Sequence, residues 1–353
     1  MAATDYPVNS PLAVKRWSET LMKEALKQTF AMQFMGTDSG SLIQIKTELN
    51  KAAGDRITFG LRQQLTGSGV QGDGTLEGNE EQLVTYSQNL TIDQLRHAVR
   101  SGGQMSQQRV PFSIREEAKD GLVDWWSDRI DKWLFNQICG LSTESDVRLT
   151  GMQAATAPDS GHQVFPGAEV AETSLSNTTS NRFSLALLDK AVERAKTATN
   201  RLRPVKVNGK DYWVAFLHPY QVTSMRTNTN TGQFLDIQKA AMQGGNVADN
   251  PIFTGALGVY NNVILFESIR VPLVVGATAG TTDVARAVLC GAQAACIGFG
   301  KGYGKNTFSW NEELFDYENQ LGVAGGCIGG LVKTRFNGSD FGTVVMSTYE
   351  VPA

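Results

Sequence analysis

Apolar residues recur along this chain with two different periods, and the changes of period divide it into elements. Val14, Trp17, Leu21 and Ala25 fall on one side of a helix predicted over 11–35. Ser10 stands where a cap is needed, Pro11 suits the first turn, and Gly36 follows the last. Lys15, Arg16, Lys23 and Lys27 lie mostly off the stripe, and Glu19 and Glu24 dilute them. Packing on the body or on a neighbouring chain is therefore expected, in preference to a membrane. The period then shortens to two. Ile57, Phe59 and Leu61 share one face of a strand that enters the stretch GSGVQGDGTLEG at 67–78. Val84, Tyr86, Leu90 and Ile92 share one face of a strand that leaves it. Gly67, Gly69 and Gly72 open the mobile tip between them. Such an arm buries too little apolar surface to offset its ordering entropy. It needs an external support, and a second copy of the chain is the expected one.

The strongest helical pattern spans 113–139. Ser113 and Glu116 form a capping box behind Pro111, and Gly140 ends the helix. Leu122, Trp126, Ile130, Trp133 or Leu134, and Ile138 make one stripe. About 26 residues at 1.5 Å each give a rod of roughly 39 Å. Trp125 is off the stripe, so it is expected to cover a second surface, either a loop or another subunit. Residues 141–182 turn polar and rich in Ser and Thr, which predicts a surface excursion displayed outward. A helix over 184–199 follows, with Leu185, Leu188, Val192 and Ala195 inward. YWVAFL at 212–217 reads as a buried strand stopped by His218 and Pro219. Short helices are predicted near 219–226 and 233–243, and strands at 263–266, 285–289 and 341–349. Neither an internal repeat nor a second linker cuts the chain. The fold class is α+β.

Composition narrows the function classes. The chain has 353 residues, 41% hydrophobic and 19% charged, enough for a sizeable core in roughly two domains. A formal net charge of -3 is unlike the basic footprint of a nucleic-acid binder. No apolar run approaches the ~20 residues of a membrane span, and MAATDYPVNS lacks a signal peptide's layout, so folding in a cytoplasm is expected. Cys139, Cys290, Cys296 and Cys327 form no CxxC pair and read as buried thiols.

Enzyme motifs fail one by one. GSGVQG at 67–72 fits G-x-G-x-x-G, yet Asp73, Glu77, Glu80 and Glu81 follow where a phosphate-binding helix should open. GFGKGYGKNT at 298–307 has Phe299 where a P-loop needs glycine and Asn306 where it needs Ser or Thr, which leaves a flexible surface turn. His97, His162 and His218 share no metal-ligand spacing, and no G-x-S-x-G elbow occurs. Glu116 and Glu117 point to different helix faces and complement the helix dipole. No catalytic, cofactor-binding or metal-ligating residue is assigned, and no enzyme is expected.

Long strings then carry a family resemblance: GDRITFGLRQQLTGSGVQGDGTLEGNEEQL, IDQLRHAVRSGG, QRVPFSIREEAKDGLVDWW, FLHPYQV, DNPIFTGALGVYNNV, AVLCGAQAA, ELFDYENQLGV and KTRFNGSDFG. The chain resembles the major capsid proteins of tailed bacteriophages, the podophage N-four-type group, with the Hong Kong 97-type capsid fold. The match runs through nearly the whole chain and is weakest at 141–182. It implies an N-terminal arm at 1–36 and an extended E-loop at 37–95. It further implies a peripheral domain with a spine helix at 96–140, an axial domain at 141–318, and a return to the periphery at 319–353. The implied function is structural. Copies assemble as hexamers and pentamers of an icosahedral virion shell, built in the bacterial cytoplasm and enclosing packaged double-stranded DNA without sequence-specific binding. The implied partners are the chain itself, a portal protein, and separate scaffolding and decoration proteins; the scaffold is expected as a separate protein because Met1 lies close to the arm. The expected inter-subunit contacts are Trp17, Ile57, Phe59, Leu61, Gly67, Gly69, Gly72, Val84, Tyr86 and Trp125. Two other readings stand beside this one: an encapsulin-like container of the same fold, and an α+β enzyme with a convergent polar pocket.

Overall fold

The computed structural model describes residues 29–46, 54–62, 65, 67–111, 113–198, 200–207, 209–228, 258–275, 283–300 and 308–350. Two mixed sheets carry the fold. In the six-stranded sheet the order is Met35–Gly36, Ile43–Lys46, Ala295–Phe299, Gln320–Lys333 and Phe308–Phe315, with Asp93–Arg100 also paired to Gln320–Lys333. The eight-stranded sheet runs Gln163–Val164, Thr343–Tyr349, Asp283–Cys290, Lys210–Leu217, Val263–Glu267 and Gly258–Tyr260. Leu273–Val275 and Val205–Val207 pair onto its second and third long strands. The α+β class follows directly.

The predicted spine is the helix Ile114–Ile138. Ser113 Oγ accepts from the Glu116 N–H at 3.4 Å, and Gly140 turns away from its end at φ +66°. A Cβ at Gly140 would stand 2.7 Å from the Thr156 carbonyl oxygen, so glycine is required there on both counts. Leu122, Trp126, Ile130, Trp133, Leu134 and Ile138 are all buried, in one cluster with Trp310, Val323, Cys327 and Leu331 of the six-stranded sheet. The same cluster reaches Val214, Phe216, Val288 and Val345 of the eight-stranded sheet. A second cluster fills the space beneath the helix Leu185–Thr197, where Leu188, Val192 and Ala195 meet Trp213, Leu265 and Met346. All four cysteines are free and buried, as expected.

One expectation needs correction. The helix predicted to 35 lies mostly outside the described residues, but its last part is not α-helical. Phe30–Phe34 is a 3-10 turn and Met35–Gly36 a short strand. Asp131 of the spine takes the Phe30 and Ala31 N–H groups at 3.2 and 3.0 Å, so these donors leave the helical ladder. Residues 141–182 lie largely at the surface and are tied down to the body. Trp133 Nε1 donates to the Arg148 carbonyl at 2.7 Å, Asn136 to Leu149 at 2.9 Å, and Gln137 to Thr150 and Gln153. Further along, Glu172 receives Arg286 Nε and Nη2 at 2.6 and 2.7 Å and the Ser347 hydroxyl at 2.8 Å. The segment is a strap, buried at Ala155, Val164 and Leu175. Sheet membership crosses the expected boundaries at 140 and 318. Ala295–Phe299 and Phe308–Phe315 join the six-stranded sheet, while Thr343–Tyr349 joins the eight-stranded one. Trp125 finds neighbours within its own chain. It stacks on His97 of its own strand Asp93–Arg100 at 4.5 Å, with Arg129 4.8 Å from its ring centroid. The helix predicted at 233–243 and the turn at 301–307 lie outside the described residues.

Candidate functional site: the arm and its seat

The arm is a hairpin of Arg56–Arg62 and Thr85–Thr91. Its register pairs Ile57 with Leu90, Phe59 with Gln88 and Leu61 with Tyr86, so the predicted apolar positions do share one face. That face meets two fates. At the root, Ile57 is 7% exposed, Leu90 0% and Ile92 7%, packed on Cys296 and Val332 of the same chain. Glycines let the backbones close. A Cβ at Gly330 would lie 2.1 Å from the Thr91 carbonyl oxygen, and one at Gly298 would lie 2.7 Å from Leu90 Cδ2. Gln88 brackets the seat, its amide donating to the Lys333 carbonyl at 2.7 Å and accepting from the Arg335 N–H at 2.6 Å. Phe59 is half-buried, edge-on to Phe336 at 6.2 Å.

Beyond Phe59 the support ends. Tyr86 is half-buried, Val84 is 37% exposed, and Leu65, Leu76 and Leu83 are exposed by 57, 62 and 55%. Gly67, Gly69 and Gly72 are exposed, with Gly69 at φ +69° and Gly72 at φ +62°. Turns stand where a dinucleotide site would need a helix. The acids also occupy the donors a phosphate would use: Glu81 Oε2 accepts from the Gly67 N–H and Glu80 Oε2 from the Gly78 N–H, each at 2.7 Å. Of the expected contact residues, Ile57 is thus committed to its own subunit, and Phe59 in part. Trp17 and the Leu61 side chain lie outside what is described.

Sequence reasoning missed a second projection. Phe308–Phe315 and Gln320–Lys333 form a hairpin whose tip holds Asp316, Tyr317 and Glu318 at φ 53, 51 and 69°. Left-handed backbone costs such residues about 1 kcal/mol or more each. Asn319 braces the tip by accepting from the Gln104 N–H at 3.2 Å, and the Tyr317 side chain is wholly exposed. The polar run DYEN between two apolar runs was the available signal.

The titratable groups serve packing. His162 sits between Asp159 Oδ2 and the Asn200 carbonyl at 3.2 and 3.1 Å, and His218 Nδ1 accepts from the Tyr220 N–H at the start of a short helix. Burial pushes the Cys139 thiol up to about 12, and Cys290 and Cys327 rise for the same reason. Such thiols are poor nucleophiles near neutral pH. Among the described residues no group of three or more His, Cys, Asp or Glu is placed to hold a metal ion.

Comparison with known proteins gives one answer. A family model described as phage capsid protein matches residues 5–351. The major capsid protein of Pseudomonas phage KPP25 is 27% identical, covering 93% of each chain. The capsid of Ralstonia phage GP4 matches with a TM-score of 0.79 at 34% identity, covering 99% of both chains. The cyanophage Pam1 capsid asymmetric unit matches with a TM-score of 0.74 at 19% identity, covering 93% of this chain and 94% of that one, and so supports the fold alone. These relatives do not favour the encapsulin-like alternative. The chain belongs to the phage capsid protein family, as a structural major capsid protein with the Hong Kong 97-type fold.

Proposed function

We propose that copies of this chain close into hexamers and pentamers of an icosahedral shell by laying each arm across the adjacent copy. The observation that carries this is the divided arm: a root packed on its own sheet, followed by apolar residues that stay exposed among the described residues. Such a contact is heterologous, and rotation closes it into a ring. Covering Leu65, Leu76, Leu83 and Val84 would each contribute up to about 1.5–3 kcal/mol before the costs of ordering and association. Those costs absorb much of it, but a closed shell engages many such contacts at once. Gly69 and Gly72 allow the tip to change its path as the lattice changes shape. Trp17 is kept as a contact on its sequence alone. In this reading the peripheral part is the spine with the six-stranded sheet, and the axial part is the eight-stranded sheet. The shell forms in the host cytoplasm with separate scaffolding, portal and decoration proteins, encloses double-stranded DNA, and carries out no turnover.

Deleting residues 67–78 tests the arm. Subunits should keep their circular dichroism and soluble size, while electron microscopy shows no closed shells. A deletion that unfolds the subunit, or shells that close without the tip, would overturn the reading.

A further inference from the structure

The acidic balance of the chain is not uniform along its length. Residues 194–210 contain six basic side chains and no acid. The fold brings five of them, Lys196, Arg201, Arg203, Lys206 and Lys210, to the Lys210 end of the inner strand Lys210–Leu217, and all five are exposed. Val205–Val207 pairs only with Lys210–Leu217, making a short ribbon closed at Gly209, whose φ of +78° suits the turn. Lys206 and Lys210 project from its opposite faces, since Lys206 pairs with Asp211 and Lys210 with Val207. The base of the ribbon is tied down. The Arg203 carbonyl accepts from the Ala292 N–H at 2.8 Å, its guanidinium donates to Gln293, and Leu202 N–H reaches the Ala195 carbonyl at 3.0 Å. Lys196 Nζ lies 5.4 Å from the Trp213 ring centroid.

In other parts of the fold Arg115 meets Glu312, Arg270 meets Asp128 and Arg286 meets Glu172. Among the described residues none of the five forms a salt bridge. Asp211 is the acid set directly across the ribbon, and the cluster keeps a net positive charge. The residues also lack what a protein interface needs at its centre: among the side chains described between 194 and 211, no large apolar one is exposed. Phosphates need only cations, held within reach of a regularly charged backbone.

We propose that this ribbon and the adjoining helix end face the lumen of the shell and contact the phosphate backbone of the packaged DNA without reading its sequence. The proposal rests on the reading of the protein as a DNA container. Contact with phosphates would release counterions and partly offset the repulsion among packed strands next to the wall.

Wild-type DNA-filled particles provide the first test, through a membrane-impermeant amine reagent and mass spectrometry. Lys196, Lys206 and Lys210 should stay unmodified in intact particles and react after disassembly, and formaldehyde should join the 196–210 peptides to DNA. The second test compares wild-type subunits with the Arg201→Gln, Lys206→Gln, Lys210→Gln variant on a 20-base-pair duplex. The slope of log affinity against log salt should fall by about 3, one unit for each charge removed. Lysines that react on intact particles place the ribbon outside, facing an acidic protein, and overturn the proposal. An unchanged salt slope overturns it too. Particles that protect no DNA from nuclease would instead remove the container reading, an outcome the labelling alone does not produce.

Discussion

Glu350 is a fully buried carboxyl at the end of the last strand, with one cation in reach among the described residues. The Phe183 N–H donates to it at 3.0 Å, the Ser224 hydroxyl at 2.5 Å, and the Arg182 guanidinium stands 3.9 Å away. Burial outweighs all three and pushes its pKa up from 4.5 to about 7. The folded state then holds this proton more tightly than the unfolded chain does. Its contribution is fully present below the ordinary carboxyl range and is lost as pH rises through the folded value, on the order of 3 kcal/mol in all. The Tm of unassembled subunits should therefore fall between pH 5 and pH 8. Glu350→Gln keeps an acceptor for the Phe183 N–H and can donate its amide to the Ser224 hydroxyl, so it should flatten that profile and raise the Tm at pH 8. A variant whose profile matches the unchanged chain would clear Glu350 of the effect. Nothing in the run TYEVPA marks this glutamate as buried, because its partners lie 126 and 167 residues away.

The arm shows how far an element can be read before its surroundings are known. Period-two spacing in RITFGL and VTYSQNLTI identified both strands and the face they share. It could not show where the face stops being covered, since that is set by Gly298 and Gly330, more than 200 positions along. The two halves should respond differently to the same change. Ile57→Asp places a carboxylate in the packed root, a cost of several kcal/mol, and should leave little soluble, folded subunit. Val84→Asp alters an exposed position, so stability should move by no more than about 0.5 kcal/mol while shell formation fails. Thermal melts paired with electron microscopy separate the outcomes, and equal effects at both sites would refute the division. The ties that hold the strap at 141–182 were illegible for a related reason. Polarity predicts exposure only where partners are missing, and here the spine's Trp133, Asn136 and Gln137 supply donors to its carbonyls.

At the scale of the whole molecule, the α+β class and the spine were legible, but the strand order was not. Gln320–Lys333 takes partners from Asp93–Arg100, Ala295–Phe299 and Phe308–Phe315, and only the last is its neighbour in the chain. Local periodicity does not encode such pairings. The consequence is a core that belongs to neither sheet alone. Phe216, on the eight-stranded sheet, is fully buried, with ring centroids of Phe34 at 5.0 Å, Phe135 at 5.5 Å and Phe30 at 5.8 Å. Phe135 comes from the spine, and Phe30 and Phe34 from the turn that leads into the six-stranded sheet. Phe216→Ala should cost about 3–5 kcal/mol, because the rings around it have no means of closing the cavity. Hydrogen exchange on unassembled subunits should then show both Ala295–Phe299 and Asp283–Cys290 losing protection by the same free energy. Loss confined to the eight-stranded sheet would mean that the sheets open independently. In that case strain passed from one arm to its neighbour could be absorbed between the sheets, whereas a shared core passes it on as a rigid displacement of the subunit.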